Sequence, residues 1–357
     1  MRFIGLATPP PMAKHKNIPI FIPHRGCPNQ CVFCNQKTIS ASSGYSLSDI
    51  KMKIEETLSH ASLDDRIEIA FFGGSFTGID RDEMTALLSL ANRYLKLGKI
   101  CGIRLSTRPD YISAEILDIL ALYGVTDIEI GVQSLDDGVL GCCQRGHSAE
   151  TTRNALHLIA QYGCFSTVGQ MMLGLPDSTK EKEIATAKEL FSLGIRQIRI
   201  YPTVVLRDTP LEKMTESGAY RPLTLDEAVQ RAADILVLAE EYGAKCLRIG
   251  LCENEDLHSE NGMLEGPFHP AFGELAISEI FFRNCRKALG TTPVSGKEVT
   301  LFIPKGSLSK AIGQKRNNIH RLQELYNTKK IRFIESDTLS GYQVRTQEDY
   351  CIASQIT

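Results

Sequence analysis

Seven short apolar runs punctuate the chain: "IPIFIP" (18–23), "RIEIAFFG" (66–73), "ICGIRLS" (100–106), "VTDIEIGV" (125–132), "TVGQMMLG" (167–174), "IRQIRIYP" (195–202) and "AKCLRIGL" (244–251). They are rich in Ile and Val, and their length predicts strands. Amphipathic stretches separate them. Leu47, Ile50, Ile54 and Leu58 recur at helical spacing, as do Ile184, Ala187, Leu190 and Phe191. Thr224 and Glu227 form a capping-box pattern that opens a helix through Tyr242. Strand–helix alternation of this kind predicts βαβ units on a parallel sheet. With six or seven such units, the expected class is α/β, a partial or full (β/α) TIM-like barrel. Chemistry in such barrels sits at the C-terminal ends of the strands.

Unusual residues fall at those ends. The first run leads into "HRGCPNQCVFCNQ" (24–36), the second ends in "GGSFTG", the third in "STRPD", the fourth in "GVQS", the fifth in "LGLPDST" and the sixth in "YPT". After Cys252 the alternation stops. The Gly-, Asn- and His-rich stretch 253–274 reads as a loop over the barrel mouth, with His258 and His269 as candidates to face substrate. A helix over 275–289 and the linker "GTTPVSGK" (290–297) follow. The expected domains are therefore 1–290, with a capping segment 252–290, and a small module 291–357.

Composition narrows the class. With 357 residues, 43% hydrophobic, the chain can bury a sizeable core. No apolar run approaches a membrane span, and the first twenty residues lack the features of a secretory signal, so a cytoplasmic location without membrane contact is expected. Most of the eleven cysteines stand singly among apolar neighbours, as reduced thiols do in a reducing compartment. Cys27, Cys31 and Cys34 are different, with three thiols on one short loop. Structural zinc is normally closed by four ligands, and no fourth Cys or His stands at finger-like spacing, with His24 the only near candidate.

The Cys27-x3-Cys31-x2-Cys34 spacing, with aromatic Phe33 before the last cysteine, resembles the signature of the radical S-adenosylmethionine (SAM) superfamily. The resemblance implies a [4Fe-4S] cluster on three cysteines, whose open iron chelates SAM, and reductive cleavage of SAM to a 5′-deoxyadenosyl radical. It also implies a one-electron donor such as flavodoxin or ferredoxin. "FFGGSFTG" looks like the superfamily's glycine motif: Gly73 and Gly74 allow close backbone approach, and Ser75 and Thr77 offer hydroxyls. "STRPDYI", "GVQSLDD", "RGH", "GLPDST" and "IYPTVVLRDTPLEKMTESGAYRPL" follow in the order found in the radical domain of the Elongator catalytic-subunit family, over roughly residues 18–250. Coproporphyrinogen oxidases of the oxygen-independent type are similar but more distant. By this resemblance Gln133 and Arg145 contact the ribose and carboxylate of SAM, Gln170 stands at a ribose-binding position, and Ser106 stands where a glutamate is common. The chain departs from the Elongator family in the shorter spacing of its first two cysteines. The stretch after the barrel is also expected to lack that family's acetyltransferase domain.

Charge adds a further feature. Residues 291–357 hold 10 Lys+Arg against 6 Asp+Glu, while the remainder of the chain is net acidic. Within this basic stretch, 298–335 reads strand, helix, turn, helix, strand. It resembles a K-homology RNA-binding module, whose GxxG turn clamps a single-stranded backbone. Here the turn is "IGQKRNNI" (312–319). Gly313 allows close approach, Lys310, Lys315 and Arg316 supply positive charge, and Asn317 and Asn318 are placed to reach bases. Arg316 replaces the module's second glycine. The expected function is a radical SAM enzyme that modifies a base in RNA, with tRNA as the expected partner. A radical SAM enzyme acting on a small molecule such as a porphyrinogen is the alternative, and a non-catalytic RNA-binding protein with a structural cluster is a third. No second cysteine cluster supports methylthio transfer, and no side chain is identified as a catalytic acid or base.

Overall fold

The computed structural model describes residues 15–22, 27, 31–35, 46–62, 64–251, 262–291 and 294–347. Along the first half run β1 (His15–Ile22), α1 (Leu47–Ser59), β2 (Arg66–Gly73), α2 (Arg81–Lys96), β3 (Gly102–Thr107), α3 (Ala114–Leu122), β4 (Asp127–Gln133), α4 (Asp137–Cys142), α5 (Ala149–Tyr162) and β5 (Ser166–Leu173). Then come α6 (Lys180–Ser192), β6 (Gln197–Pro202), β7 (Val205–Leu206), α7 (Pro210–Glu216), α8 (Leu225–Glu241), β8 (Lys245–Ile249), β9 (Met263–Glu265) and α9 (Phe272–Leu289). The last elements are β10 (Glu298–Pro304), α10 (Leu308–Ile312), α11 (Asn317–Tyr326), β11 (Lys330–Ser336) and β12 (Arg345–Thr346). All seven expected strands are present, and they form one sheet in the order β1-β2-β3-β4-β5-β6-β8. The ladders β1/β2, β2/β3, β3/β4 and β6/β8 are parallel.

Two compact units are distinguished: Met1–Gln30, Gln36–Val132 and Glu150–Val168 in the first, Cys31–Asn35, Gln133–Ala149 and Gly169–Thr357 in the second. In the first, the β-branched strand residues Ile18, Ile69, Ile103 and Ile128 are fully buried. Helices start where polar caps satisfy their first amides: Ser46 and Asp49 close a capping box on α1, and Asp80 accepts from two amides of α2. Toward the N-terminal parts of the strands, Arg104 is buried and donates to Glu68, Asp127 and Glu129 at 3.0, 2.9 and 3.2 Å. Burial pushes the Glu68 carboxyl up, but His15 and Arg104 together outweigh it and hold the group below its usual range. This charged layer lies away from the strand ends that carry Gly73 and Gln133.

In the second unit, Thr224 and Glu227 close the expected capping box on α8. The stretch read as a loop before the late helix contains β9, which pairs antiparallel with β7 through Val205–Glu265 and Leu206–Met263. A three-residue strand is too short to leave a readable alternation. His258 lies outside the described residues. His269 Nδ1 accepts from the Ala271 amide at 3.0 Å and so serves the local turn before α9. Within the expected linker Val294 is packed: it joins Phe282, Cys285 and Leu289 of α9, Val299 and Leu301 of β10, Leu322 of α11 and Ile331 of β11 in one apolar cluster. Strand β10 pairs parallel with β11 and antiparallel with β12. Alternating charges link four helices: Lys180 to Asp234 at 2.7 Å, Asp234 to Arg283 at 2.6 Å, Arg283 to Glu279 at 3.0 Å, and Glu279 to Arg321 at 3.0 Å. Arg321 also stacks on Phe282, 3.5 Å from the ring centroid.

Candidate functional site

In the first unit the site residues gather at the ends of β2 and β3. Gly73 has φ +115°, and a Cβ there would lie 2.3 Å from the Ile22 carbonyl oxygen. The close approach that requires this glycine is therefore to strand β1. The Gly74 amide donates to the same carbonyl at 3.4 Å. Ser75 is buried, and the Cys27 thiol donates to its hydroxyl at 3.8 Å. Thr77 is buried and bonds Thr107 Oγ1 at 2.6 Å and the Tyr111 carbonyl at 3.1 Å. Its hydroxyl is thus committed to the turn. Ser106 is half-buried near the end of β3.

In the second unit a short shelf carries Cys31 to Asn35. The Cys34 amide donates to the Cys31 carbonyl at 3.0 Å, which makes a tight turn. The Val32 amide donates to the Cys143 carbonyl at 3.1 Å, and the Val32 carbonyl accepts from the Leu211 amide at 2.9 Å. Asn35 Nδ2 donates to the Arg207 carbonyl at 2.7 Å. Val32 and Phe33 pack with Val139, Cys143, Leu175, Val205, Leu211 and Tyr220. The long "IYPTVVLRDTPLEKM" stretch therefore has a physical role, because its loop and α7 hold the cysteine shelf. Sequence reasoning missed Asn35, although a small amide directly after the last cysteine was the available signal.

Arg145 reaches the shelf from a helix end. Gln144 takes φ 52° after α4, its amide donates to Gly141, and the Arg145 amide donates to Leu140, both at 3.0 Å. This Schellman pattern fixes the Arg145 backbone. Its side chain is buried, and Nη1 donates to Cys31 Sγ at 3.2 Å. Gln133, the last residue of β4, has φ 63°, and its Oε1 is buried with no hydrogen-bond partner. Both a left-handed non-glycine residue and an orphaned buried oxygen are expected where a ligand supplies the missing contact. Gln170 is half-buried on β5. Gly174, just past β5, is held from both sides: its amide donates to Glu183 Oε1 at 2.7 Å, and its carbonyl accepts from the Tyr220 hydroxyl at 2.6 Å. Burial pushes up both the Glu183 carboxyl and the Tyr220 hydroxyl. Burial likewise pushes Cys143, Cys246 and Cys285 up to about 12, so these thiols stay protonated at neutral pH.

Among the described residues no group of three His, Cys, Asp or Glu side chains is placed to hold a metal ion. Cys27, Cys31 and Cys34 stand as one ligand set by their spacing alone. The Radical SAM superfamily pattern matches residues 21–190, and the radical SAM C-terminal domain pattern matches residues 195–281. The chain belongs to the radical SAM superfamily. Enzymes of this superfamily use a [4Fe-4S] cluster and SAM. This radical SAM chain is 34% identical to human Elongator complex protein 3 over 149 residues, which cover 41% of this chain and 27% of that protein. It is 26% identical to the tRNA uridine(34) acetyltransferase of Dehalococcoides mccartyi over 253 residues, 60% of this chain and 54% of that one. It thus spans about half or less of the length of these relatives. The structure of Methanocaldococcus infernus Elp3 with an N-terminal deletion superposes with a TM-score of 0.58 at 22% identity, covering 76% of this chain and 63% of that one. That likeness establishes the fold, a partial barrel of the radical SAM type. No described helix is long and apolar enough to cross a membrane.

The basic turn has its own geometry. Lys315 and Arg316 take φ 50° and 63°, and both are exposed. With Lys310 and Gly313 they border a groove of about 310 Å³ that Glu274 and Ser278 also line. Among the described residues none of the three cations makes an ion pair. Asn317 is exposed. Asn318, expected to reach a base, is instead 1% exposed and donates to the Ser278 carbonyl, Ser278 Oγ and the Ala311 carbonyl at 2.8, 2.9 and 3.1 Å. It locks the turn onto α9.

Proposed function

We propose that this radical SAM enzyme modifies a base in RNA, with tRNA as substrate. The observation that carries the RNA reading is the basic turn: Lys310, Lys315 and Arg316 surround one groove and have no carboxylate partner among the described residues. Unpaired cations around a concave surface are the electrostatic footprint of a phosphate chain. Similarity to a tRNA uridine(34) acetyltransferase supports the same substrate class. In this reading residues 1–290 carry the radical chemistry, 252–290 cap it, and 291–357 bind RNA in the cytoplasm.

Cys27, Cys31 and Cys34 would hold the cluster. When bound and reduced by a flavodoxin- or ferredoxin-type donor, it supplies the electron that cleaves SAM to methionine and a 5′-deoxyadenosyl radical. The chain's own residues do the rest. The shelf from Cys31 to Asn35 presents its sulfurs from a backbone fixed by Cys143, Arg207 and Leu211. Gln133 offers a buried, unsatisfied oxygen to a ribose hydroxyl. Arg145 brings a buried positive charge for the methionyl carboxylate, while Gly73, Gly74, Ser75, Thr77, Ser106 and Gln170 shape their own strand ends.

Gel-shift titration of the reconstituted protein with tRNA at two salt concentrations tests the RNA reading, together with mass spectrometry of tRNA nucleosides from a deletion strain. Salt-sensitive binding and one missing modified nucleoside are expected. Absence of both, with turnover of a small molecule such as a porphyrinogen, would overturn it.

A further inference from the structure

The groove beside the basic turn holds one residue of the wrong sign for a phosphate chain. Lys310, Lys315 and Arg316 line it, and so does Glu274. A carboxylate there opposes the approach of phosphate, so neutralising a nucleic-acid backbone does not account for it. Nor does it serve the cations, because among the described residues Glu274 makes no ion pair. Glu279, on the same helix α9, is bonded to Arg283 and to Arg321, both at 3.0 Å. Glu274 is exposed in the first turn of α9, about one helical turn before Ser278. Residues four apart on a helix share a face, and both of these line the groove. The position of that face relative to the basic turn is fixed. Ser278 accepts from Asn318 at its carbonyl and at its Oγ, and a Cβ on Gly313 would lie 2.9 Å from the same Oγ. The Glu279–Arg321 pair also ties α9 to α11.

We propose that Glu274 reads a base: its carboxylate accepts from the Watson–Crick edge of an unpaired guanine whose flanking phosphates meet Lys310, Lys315 and Arg316. The inference rests on the reading of this turn as the RNA site and deepens it. A carboxylate accepts hydrogen bonds through two oxygens and donates none. Among the four RNA bases, guanine alone sets two N–H donors side by side on that edge, N1–H and the 2-amino group. Adenine and cytosine set an amino group beside a ring acceptor, and uracil sets one N–H between two carbonyls. In those three a second carboxylate oxygen meets a lone pair. Phosphate contacts position a strand and base contacts specify it, and this groove carries side chains for both. Its volume, about 310 Å³, is at the small end for a ligand cleft and suits a single base.

The test uses the full chain and fluorescence anisotropy at one fixed salt concentration. The probes are single-stranded oligouridines with one central guanosine, adenosine, cytidine or inosine, and the all-uridine strand is the reference. Inosine keeps N1–H and lacks the 2-amino group. Wild type is expected to bind the guanosine strand roughly tenfold tighter than the reference, with the inosine strand in between. In Glu274→Gln, whose amide pairs one donor with one acceptor, the guanosine advantage should vanish and the adenosine strand should gain. Circular dichroism and the urea midpoint check the fold of the variant. Equal binding of all strands by wild type, or a guanosine preference that survives in Glu274→Gln, overturns the proposal. A lowered urea midpoint as the only change would leave Glu274 as an acid that steadies the start of α9. If Glu274→Gln does not fold, wild type decides by itself: equal affinity for the guanosine and inosine strands overturns the proposal. The Lys315→Ala, Arg316→Ala double variant separates this failure from failure of the RNA reading. Binding that is equal for all strands but weakened in the double variant keeps the RNA site and removes its base reader. Strands that wild type does not bind, or binds no better than the double variant does, remove the RNA site and this inference with it.

Discussion

Arg145 and Arg316 both follow a residue in left-handed backbone, Gln144 at φ 52° and Lys315 at φ 50°. Their surroundings are opposite. Arg145 is buried and directed at the Cys31 sulfur, on a shelf whose backbone groups are bonded to Cys143 and Leu211. Arg316 is exposed, stands beside Lys315, and has no ion-pair partner among the described residues. On the shelf side the backbone and the cation are committed to neighbours within the fold. The turn side keeps its charge in water, where it is free to meet phosphate and release counterions. On the proposed reading, the difference separates the charges that serve the reaction from those that would meet RNA. Buried and committed charge belongs to the first, exposed and unpaired charge to the second.

The comparison breaks most completely at the shelf. Changing Cys27, Cys31 or Cys34 to alanine should reduce iron from about four per chain to near zero after anaerobic reconstitution, and abolish SAM cleavage. Iron assay and detection of 5′-deoxyadenosine check it. A variant that keeps a full cluster would remove that cysteine from the ligand set. tRNA binding through the turn should survive the same changes.

Asn318→Ala attacks the turn from beneath. It removes a side chain that bonds the Ser278 carbonyl, Ser278 Oγ and the Ala311 carbonyl, and leaves buried acceptors without donors. A loss of about 2–3 kcal/mol in unfolding free energy is expected from urea titration. RNA affinity should fall as well, because Gly313 and the cations lose their platform. Unchanged stability would show that the turn is held by other contacts.

The double change Lys315→Ala with Arg316→Ala should act only on binding. Two phosphate contacts on a single strand account for about 1.4 units in the slope of log K against log salt. Stability should move by less than about 0.5 kcal/mol, since both side chains are exposed. A slope identical to wild type would place RNA elsewhere on the molecule. Cofactor cleavage without RNA should be unaffected.

The same division explains what was legible in the sequence. A strand with Ile at every second position announces itself because one face is buried, as at Ile18, Ile20 and Ile22 of β1. The capping box at Thr224 was readable because its two partners are three residues apart. The three cysteines stood out by spacing, and the basic turn by charge. Long-range contacts left no such trace. Nothing local pairs Arg145 with Cys31, 114 positions away, or Asn35 with Arg207. Asn318 was misread because sequence shows an amide in a turn and not which way it faces. Glu183 was missed because a carboxylate on the apolar side of a helix is visible only once the apolar positions around it, Ala187 and Leu190, are used to ask what it faces.

Glu183 gives the smallest expected effect, and it sharpens the contrast through pH. Its carboxyl is 4% exposed, and Oε1 accepts from the Gly174 amide, Ser178 Oγ and Arg231 Nη1, while Oε2 has no partner. Burial raises its pKa above the usual carboxylate range, even with Arg231 beside it. Between the unfolded and folded pKa values the folded chain therefore binds more protons than the unfolded chain. The contribution of Glu183 to stability is fully present below its unfolded pKa, about 4.3, and is lost as pH rises through the folded value. Glu183→Gln cannot titrate. The stability of wild type relative to this variant should decline as pH is raised from about 4.3 toward 8, read as the difference in urea midpoint at each pH. The Lys315 and Arg316 double variant should show no such pH-dependent difference over the same range, because Lys and Arg keep their charge there. A difference between wild type and Glu183→Gln that is flat in pH would mean that the carboxylate is as well stabilised in the fold as in water. The shelf side would then be no more sensitive to pH than the exposed turn.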